Sequence, residues 1–491
     1  MRLMSILLRK LFLLAFVMYG SQVMSGNKSA NTNDNYHADT IYFEKSSVNN
    51  TLENPGKGLY VNHWRNKDYS DIPHFINIIY QRFTWKDIEK KEGDLDLYKI
   101  NKFIRNAKSR GYRPAFRVMS SSLGMGTITP EYVFLSGVPK VKHDVSKSVS
   151  TEYNTQYDPV YWNKIYLQKY TKFIIQLGKR LDGGKGIEFI DIGGIGIFGE
   201  MHLGLHVEGL WTEEELKEHG YSYEQYFSAY RDVIDAYVLS FPNTRVFLNI
   251  SRYPMIADYA ASKGVNLRFD GLHAYKNMFT KYKVSKSFLE HCSVKAKDKV
   301  SCMYEFALGK DPSELMATAS LRKMNGEPVS YLHVNIGSAK NWSDEFKHLL
   351  AEYADAIGYN IRPVSMSIPS RFNINQAIRI EHQWVNTGMS APESDMELII
   401  DVVDVSNKIV FKKSNILEVS SWQINQQIMD NSTVVISDKL PAGEYAIRFG
   451  IMSKKYNTKP LNLKINKQPV DGMYKIFSFK LNDGVALTTS I

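Results

Sequence analysis

From about residue 58 to residue 360, short runs of branched apolar residues alternate with segments whose apolar positions recur at helical spacing. The runs predict eight strands, at 58–61, 76–83, 113–118, 187–192, 245–250, 267–272, 300–306 and 329–334. Between them, Ile100, Phe103, Ile104 and Ala107 share one helix face, closed by Gly111 in the position of a C-terminal cap. Tyr166, Tyr170, Phe173, Ile174 and Leu177 make a second such face, and Tyr226, Tyr230, Val233, Ile234 and Tyr237 a third. Eight strand–helix units in one stretch predict an α/β fold, a (β/α)8 TIM barrel over residues 51–360. No GxGxxG follows the first strand, which weakens a doubly wound dinucleotide-binding sheet.

The pattern changes from Arg362 onward. Residues 363–369 read as a linker, and short alternating strands follow at 378–385, 396–403, 409–411, 433–436 and 445–451, separated by turn signals such as Asn386-Thr-Gly388 and Pro441-Ala-Gly443. They predict an immunoglobulin-like β-sandwich over 361–491, bracing the barrel. At the other end, Arg2, Arg9 and Lys10 precede the apolar run from Leu11 to Met18, so residues 1–26 are expected to be an export signal and the protein periplasmic or secreted. The apolar run is short for a transmembrane helix, no cysteine follows it to carry a lipid anchor, and no later segment is long enough to span. Residues 27–50 are polar and read as a flexible leader.

Composition adds little to the fold and something to the partners. The 30 Tyr, 24 Phe and 7 Trp supply large cores and aromatic faces of the kind that line sugar clefts. The net charge of +10 is spread along the chain rather than gathered in a stripe. That argues against nucleic acid and leaves a preference for an acidic polymer or an anionic surface. Cys292 and Cys302 are the only cysteines; a disulfide closing a short loop and two packed thiols are both open. The pattern sets no oligomeric state.

The segment Ile187-Glu-Phe-Ile-Asp-Ile-Gly-Gly-Ile-Gly-Ile-Phe-Gly-Glu-Met-His202 reads as a buried strand entering a glycine-rich turn that ends in Glu200. Carboxylates beyond the C-terminal ends of barrel strands sit where barrel enzymes keep their catalytic groups. Glu305 closes the seventh strand, in Ser301-Cys-Met-Tyr-Glu-Phe306. Glycoside hydrolysis needs two carboxyl groups, about 5–5.5 Å apart for retention and about 6.5–9.5 Å for inversion. Glu200 and Glu305 are therefore the candidate catalytic pair. Arg82 and Arg117 close the second and third strands, where a guanidinium orients a catalytic carboxylate or grips a substrate acid. His202, His273, Tyr275, Tyr304, His333, Asn335 and Trp342 are candidates for sugar contact, and Asp191 and Asp270 for orienting roles. Long segments at 120–157 and 200–221, the second with Trp211, could wall a cleft. No HExxH, GxSxG or P-loop pattern is present, so neither metal nor cofactor is expected.

Further residues carry a family resemblance. Asn54-Pro-Gly-Lys-Gly58 is followed by Arg82-x-x-Trp85, then Asp87-Ile-Glu-x-x-Glu-Gly93, then Gly111-Tyr-Arg-Pro-Ala-Phe-Arg117. That order resembles the second and third units of clan A, beta-galactosidase-like, glycoside hydrolase barrels. With Gly196–His202 and Ile357-Gly-Tyr359 it is more closely similar to secreted barrel-plus-sandwich proteins of unknown function. The resemblance implies an acid/base glutamate after strand four and a nucleophilic glutamate at strand seven, positions matched by Glu200 and Glu305. One position departs: the clan carries asparagine before the acid/base, and here Gly199 stands there. The expectation is an exported glycoside hydrolase using a two-carboxylate, retaining mechanism. Glu200 would be the acid/base, and Glu305 the nucleophile, kept ionised by Arg82 or Arg117. The alternatives are a non-catalytic carbohydrate-binding or polysaccharide-assembly protein on the same barrel and, more remotely, a polysaccharide lyase.

Overall fold

In the computed structural model, residues 37–46, 54–146, 153–184, 186–204, 210–250, 253–270, 288, 290–293, 295–297, 299–306, 314–323, 327–437, 439–453 and 459–490 are described. Eight parallel strands close into a barrel. They are β1 Gly58–Asn62, β2 Ile78–Thr84, β3 Arg113–Met119, β4 Phe189–Asp191, β5 Arg245–Asn249, β6 Asn266–Asp270, β7 Cys302–Glu305 and β8 Tyr331–His333. Neighbours in the barrel are neighbours in sequence, and β8 closes on β1, with Tyr331 beside Gly58 and His333 beside Tyr60. The barrel expected from the apolar runs is the barrel observed.

The helical faces pack where their spacing places them. Helices Tyr98–Lys108, Lys164–Leu181 and Tyr223–Ser240 turn their apolar sides onto the outside of the strands in one large core. The side chain of Asn163 accepts from the amides of Ile165 and Tyr166 to start the second, and Ser222 accepts from Gln225 to start the third. The segment 120–157 contains helix Glu131–Leu135 and the first strand of the hairpin Lys140–Asp144 with Thr155–Pro159. Trp211, expected to wall a cleft, is buried against Tyr161, Trp162 and His143.

Inside the barrel the two-residue alternation of strands sorts side chains into layers. Tyr60, Ile78, Tyr80, Ala115, Phe189, Phe247, Met303 and Tyr331 form an apolar plug. Two residues further along seven of those strands stand Asn62, Arg82, Arg117, Asp191, Asn249, Glu305 and His333. The interior therefore changes from apolar to polar and charged toward the C-terminal mouth.

The C-terminal region is two antiparallel sheets around a shared apolar core. One orders Ala38–Tyr42, Ile361–Pro369, Ala377–Asn386 and Gln427–Val435; the other Arg371–Asn373, Val485–Ser490, Tyr474–Asn482, Gly443–Met452, Met396–Asp404 and Ile409–Leu417. Two expectations are corrected. Residues 38–42, read as part of a flexible leader, form an edge strand paired with Ile361–Pro369, with Ile41 and Phe43 in the core. Residues 363–369, read as a linker, are the inner strand between that edge and Ala377–Asn386. Cys292 and Cys302 are joined as a disulfide. No helix among the described residues is long and apolar enough to cross a membrane.

Candidate active site

The glycine-rich turn after β4 is locked by close approach. Gly199 has φ +71°, and a Cβ there would lie 2.4 Å from Gly193 Cα. No side chain fits at the position where the clan carries asparagine. Phe198 and Met201, on either side of Gly199-Glu200, also hold positive φ, at 58° and 59°. Such conformations cost on the order of 1–2 kcal/mol each for residues with a Cβ. The Phe198 amide donates to Ser121 O, and the Arg117 guanidinium donates to Phe198 O at 2.8 Å. The backbone around Glu200 is thus held in an unfavourable shape by its neighbours.

Glu200 projects from this turn between two guanidiniums. Its Oε1 accepts from Arg82 Nη2 at 2.8 Å and from Arg117 Nη1 at 2.9 Å, and His202 Nε2 lies 4.0 Å from Oε2. Burial alone would raise its pKa, but Arg82, Arg117, Arg268 and His202 together hold the carboxyl down at about 2. The side chain stays 13% exposed and that of Arg82 21%, whereas Arg117 is fully buried.

Arg117 carries the network inward. Its Nη2 donates to Asp191 Oδ2 at 2.9 Å, and the same oxygen accepts from Arg268 Nη1 at 2.6 Å and from the Tyr80 hydroxyl at 2.7 Å. Arg268 then pairs through Nη2 with Glu305 Oε2. His333 Nδ1 lies 3.0 Å from Glu305 Oε2, and Asn335 Nδ2 donates to Oε1 at 2.7 Å. Asn62 Nδ2 donates to Asn335 Oδ1 at 2.8 Å, which closes the chain of contacts on β1. Glu200 and Glu305 thus belong to one ladder of alternating charge that crosses the mouth through Asp191.

Several expected contacts fall elsewhere. Arg117 has no exposed surface and serves as a buried bridge between Glu200 and Asp191, not as a substrate contact. Neither Arg82 nor Arg117 is the arginine on Glu305; that partner is Arg268, which sequence reasoning did not select. His333 is buried inside the barrel, stacked on Tyr60 at 4.3 Å beneath the site. Tyr304 faces outward, buried against Phe269 and Phe288 in the helix layer, because Met303 and Glu305 on either side of it face in. Trp342 is buried on Phe346 with its indole N–H donated to Ile336 O at 2.6 Å, so it offers no open face. His202 stays beside Glu200 at the mouth with its side chain 21% exposed. His273 and Tyr275 lie outside the described residues. No group of three or more metal-ligating side chains that could hold an ion occurs among the described residues.

No protein-family model matches the chain, and no curated protein matches it. Solved structures similar to it include the catalytic domain of a beta-amylase from Paenibacillus polymyxa, at 10% identity and TM-score 0.41, over 61% of this chain and 97% of that one. An exo-beta-1,4-mannosidase from Opitutaceae bacterium strain TAV5 matches at 13% identity and TM-score 0.37, over 61% of this chain and 60% of that one. Endo-glycoceramidase II from Rhodococcus sp. matches at 11% identity and TM-score 0.37, over 78% of this chain and 97% of that one. These are likenesses of distant chains, and they set no residue's role.

Proposed function

We propose that this protein is an exported glycoside hydrolase that cleaves a polysaccharide or oligosaccharide at the C-terminal mouth of its barrel, with Glu305 as nucleophile and Glu200 as acid/base. The observation that carries the reading is the convergence of these two carboxylates, from the ends of β4 and β7, on one network through Asp191. Arg268 and Asn335 orient Glu305 for attack. Glu200 is ionised in the unliganded protein, whereas a general acid needs a raised pKa. Arg117 is fixed by Asp191 and Phe198 O, but Arg82 is partly exposed and can be drawn off by an incoming substrate. Losing one of its two guanidinium partners moves Glu200 toward its donor role. The disulfide supports the exported location, since such bonds persist in oxidising compartments.

Non-catalytic saccharide binding on the same barrel is the second reading, favoured by the low resting pKa of Glu200. Digestion of a glycan library by wild type, Glu200→Gln and Glu305→Gln separates the two. The hydrolase reading expects new reducing ends from wild type and at least a hundredfold loss in each variant. Cleavage that survives both substitutions removes the site assignment, and no cleavage of any glycan that the wild type binds leaves the binding reading.

A further inference from the structure

The turn leaving β1 carries features that the catalytic ladder does not use. Trp64 is 50% exposed, and the Arg65 guanidinium lies 4.4 Å over its ring. Arg65 donates from Nη1 to Asn335 O at 3.3 Å, which places it next to the residue that holds Glu305. Among the described residues Arg65 has no carboxylate partner, in contrast to Arg82, Arg117 and Arg268, each paired with one or two. Arg82 stands close enough to depress the Arg65 pKa, after burial as the larger cause, and the Arg82 Nε finds no acceptor. Beside them opens a cavity of about 250 Å³ whose lining includes Trp64, the cations Arg65, Lys67 and Lys340, and the carboxylates Asp68 and Asp71. Asp68 is engaged by the Ser70 amide at 2.7 Å.

We infer that this pocket is a subsite for an anionic sugar residue, whose carboxylate or sulfate is taken by Arg65 and whose ring lies along Trp64. The chemistry follows from the parts. A planar guanidinium without a counter-charge binds a carboxylate or sulfate through paired N–H donors. An exposed indole offers the apolar face that a pyranose ring covers. The excess of cations over carboxylates in the lining discriminates against a neutral chain, in keeping with the net charge of +10. The inference rests on the saccharide reading above and adds a substrate class to it. The bound acid group, adjacent to Arg82, also supplies the anion that would draw Arg82 away from Glu200.

The test is affinity electrophoresis of the full chain through gels containing polygalacturonate, alginate, hyaluronan, chondroitin sulfate, or the neutral polymers hydroxyethyl cellulose and dextran. Wild type is expected to be retarded by at least one acidic polymer, less so as salt rises. Arg65→Gln and Trp64→Ala should each weaken that retardation about tenfold. Lys412→Gln, which removes one exposed charge from the sandwich, should leave it unchanged. Retardation by uronates or by sulfated chains identifies the anion, and either supports the subsite. Retardation by no acidic polymer, or equal retardation of wild type and Arg65→Gln, overturns it. Reducing-end release is read in parallel. An acidic polymer held through Arg65 and never cut keeps the subsite and discards the hydrolase. A neutral polymer cut equally fast by wild type and Arg65→Gln, with no acidic polymer retarding the wild type, keeps the hydrolase and discards the subsite.

Discussion

The two ends of the barrel are built from the same residue types and do opposite things. At the N-terminal base, Glu188 pairs with Arg113 at 3.0 Å and also accepts from the Gly56 amide and the Tyr331 hydroxyl, each at 2.7 Å. Arg113 donates onward to Asn54 O, Lys57 O and Asn77 Oδ1. Arg245 reaches across to Glu393, Lys299 to Pro392 O and Ser420 O, and Lys464 to Asp355, so charge here fastens barrel and sandwich together. At the mouth the ladder runs almost wholly from charge to charge, and it ends in half-open members: Glu200, Arg82 and His202. Neutral donors and acceptors absorb surplus charge at the base. At the mouth three guanidiniums meet three carboxylates, and part of that network is left where a ligand can reach it. A closed network holds structure; an open one of the same composition can bind.

The largest effect should come from cutting the ladder at its centre. Arg268→Leu leaves Glu305 without its guanidinium and Asp191 with Arg117 alone, and is expected to cost about 3–5 kcal/mol in urea unfolding. Glu188→Gln at the base keeps the capacity to bond Gly56 and Tyr331 and should cost less, about 1–3 kcal/mol. Equal losses would erase the distinction between the two ends. Next in size is Gly199→Asn, which installs the residue of the resembling enzymes. With positive φ and backbone at 2.4 Å, it should destabilise by about 2–4 kcal/mol and abolish whatever activity the wild type shows. A stable, active Gly199→Asn would mean that the turn is not fixed as described.

Lys57 tests the base through pH. Burial pushes its ammonium down to about 7, against the pull of Asp355, while its Nζ donates to Tyr359 O and Asn360 Oδ1. The folded chain therefore binds fewer protons than the unfolded chain between pH 7 and 10.5. Stability from this residue is lowest below about 7 and recovers as pH rises toward 10.5, by a few kcal/mol at most. Subtracting urea midpoints of Lys57→Met from those of wild type across that range isolates the slope. A flat difference would place the lysine in a wetter setting than the fold describes.

What could be read from the sequence followed rules of local pattern. The eight barrel strands announce themselves as apolar runs, and Glu200, Arg117 and Glu305 stand at their ends. Arg268 was missed because a lone charge between Leu267 and Phe269 resembles the solvent face of an alternating strand. In a barrel whose outer face is covered by helices, that lone charge must face inward, as it does in Phe116-Arg-Val118. Tyr304 was misplaced by the same parity, since one residue's shift exchanges inside and outside. The strand Ala38–Tyr42 was unreadable for another reason: its partner lies more than 300 residues away, from Pro369 to Ser365. Trp64 and Arg65 were passed over because a half-exposed pair after a short strand carries no periodic signal.

The smallest effect bears most directly on how the mouth could work. The Glu200 carboxyl sits at about 2 when folded against an ordinary 4.5, so the stability it contributes is complete above about 4.5 and is lost as pH falls through 2. Arg82→Gln removes the partner that can move and leaves Arg117, which cannot. The folded pKa of Glu200 should then rise by about one unit, worth about 1.4 kcal/mol, and the acid loss should begin at correspondingly higher pH. Urea midpoints of the two proteins between pH 5 and 2.5, each compared with its own Glu200→Gln counterpart, read that displacement. Coincident curves would show that Arg117 alone sets the charge on Glu200. A substrate that drew Arg82 aside would then gain no proton donor, and the open ladder would serve binding and not cleavage.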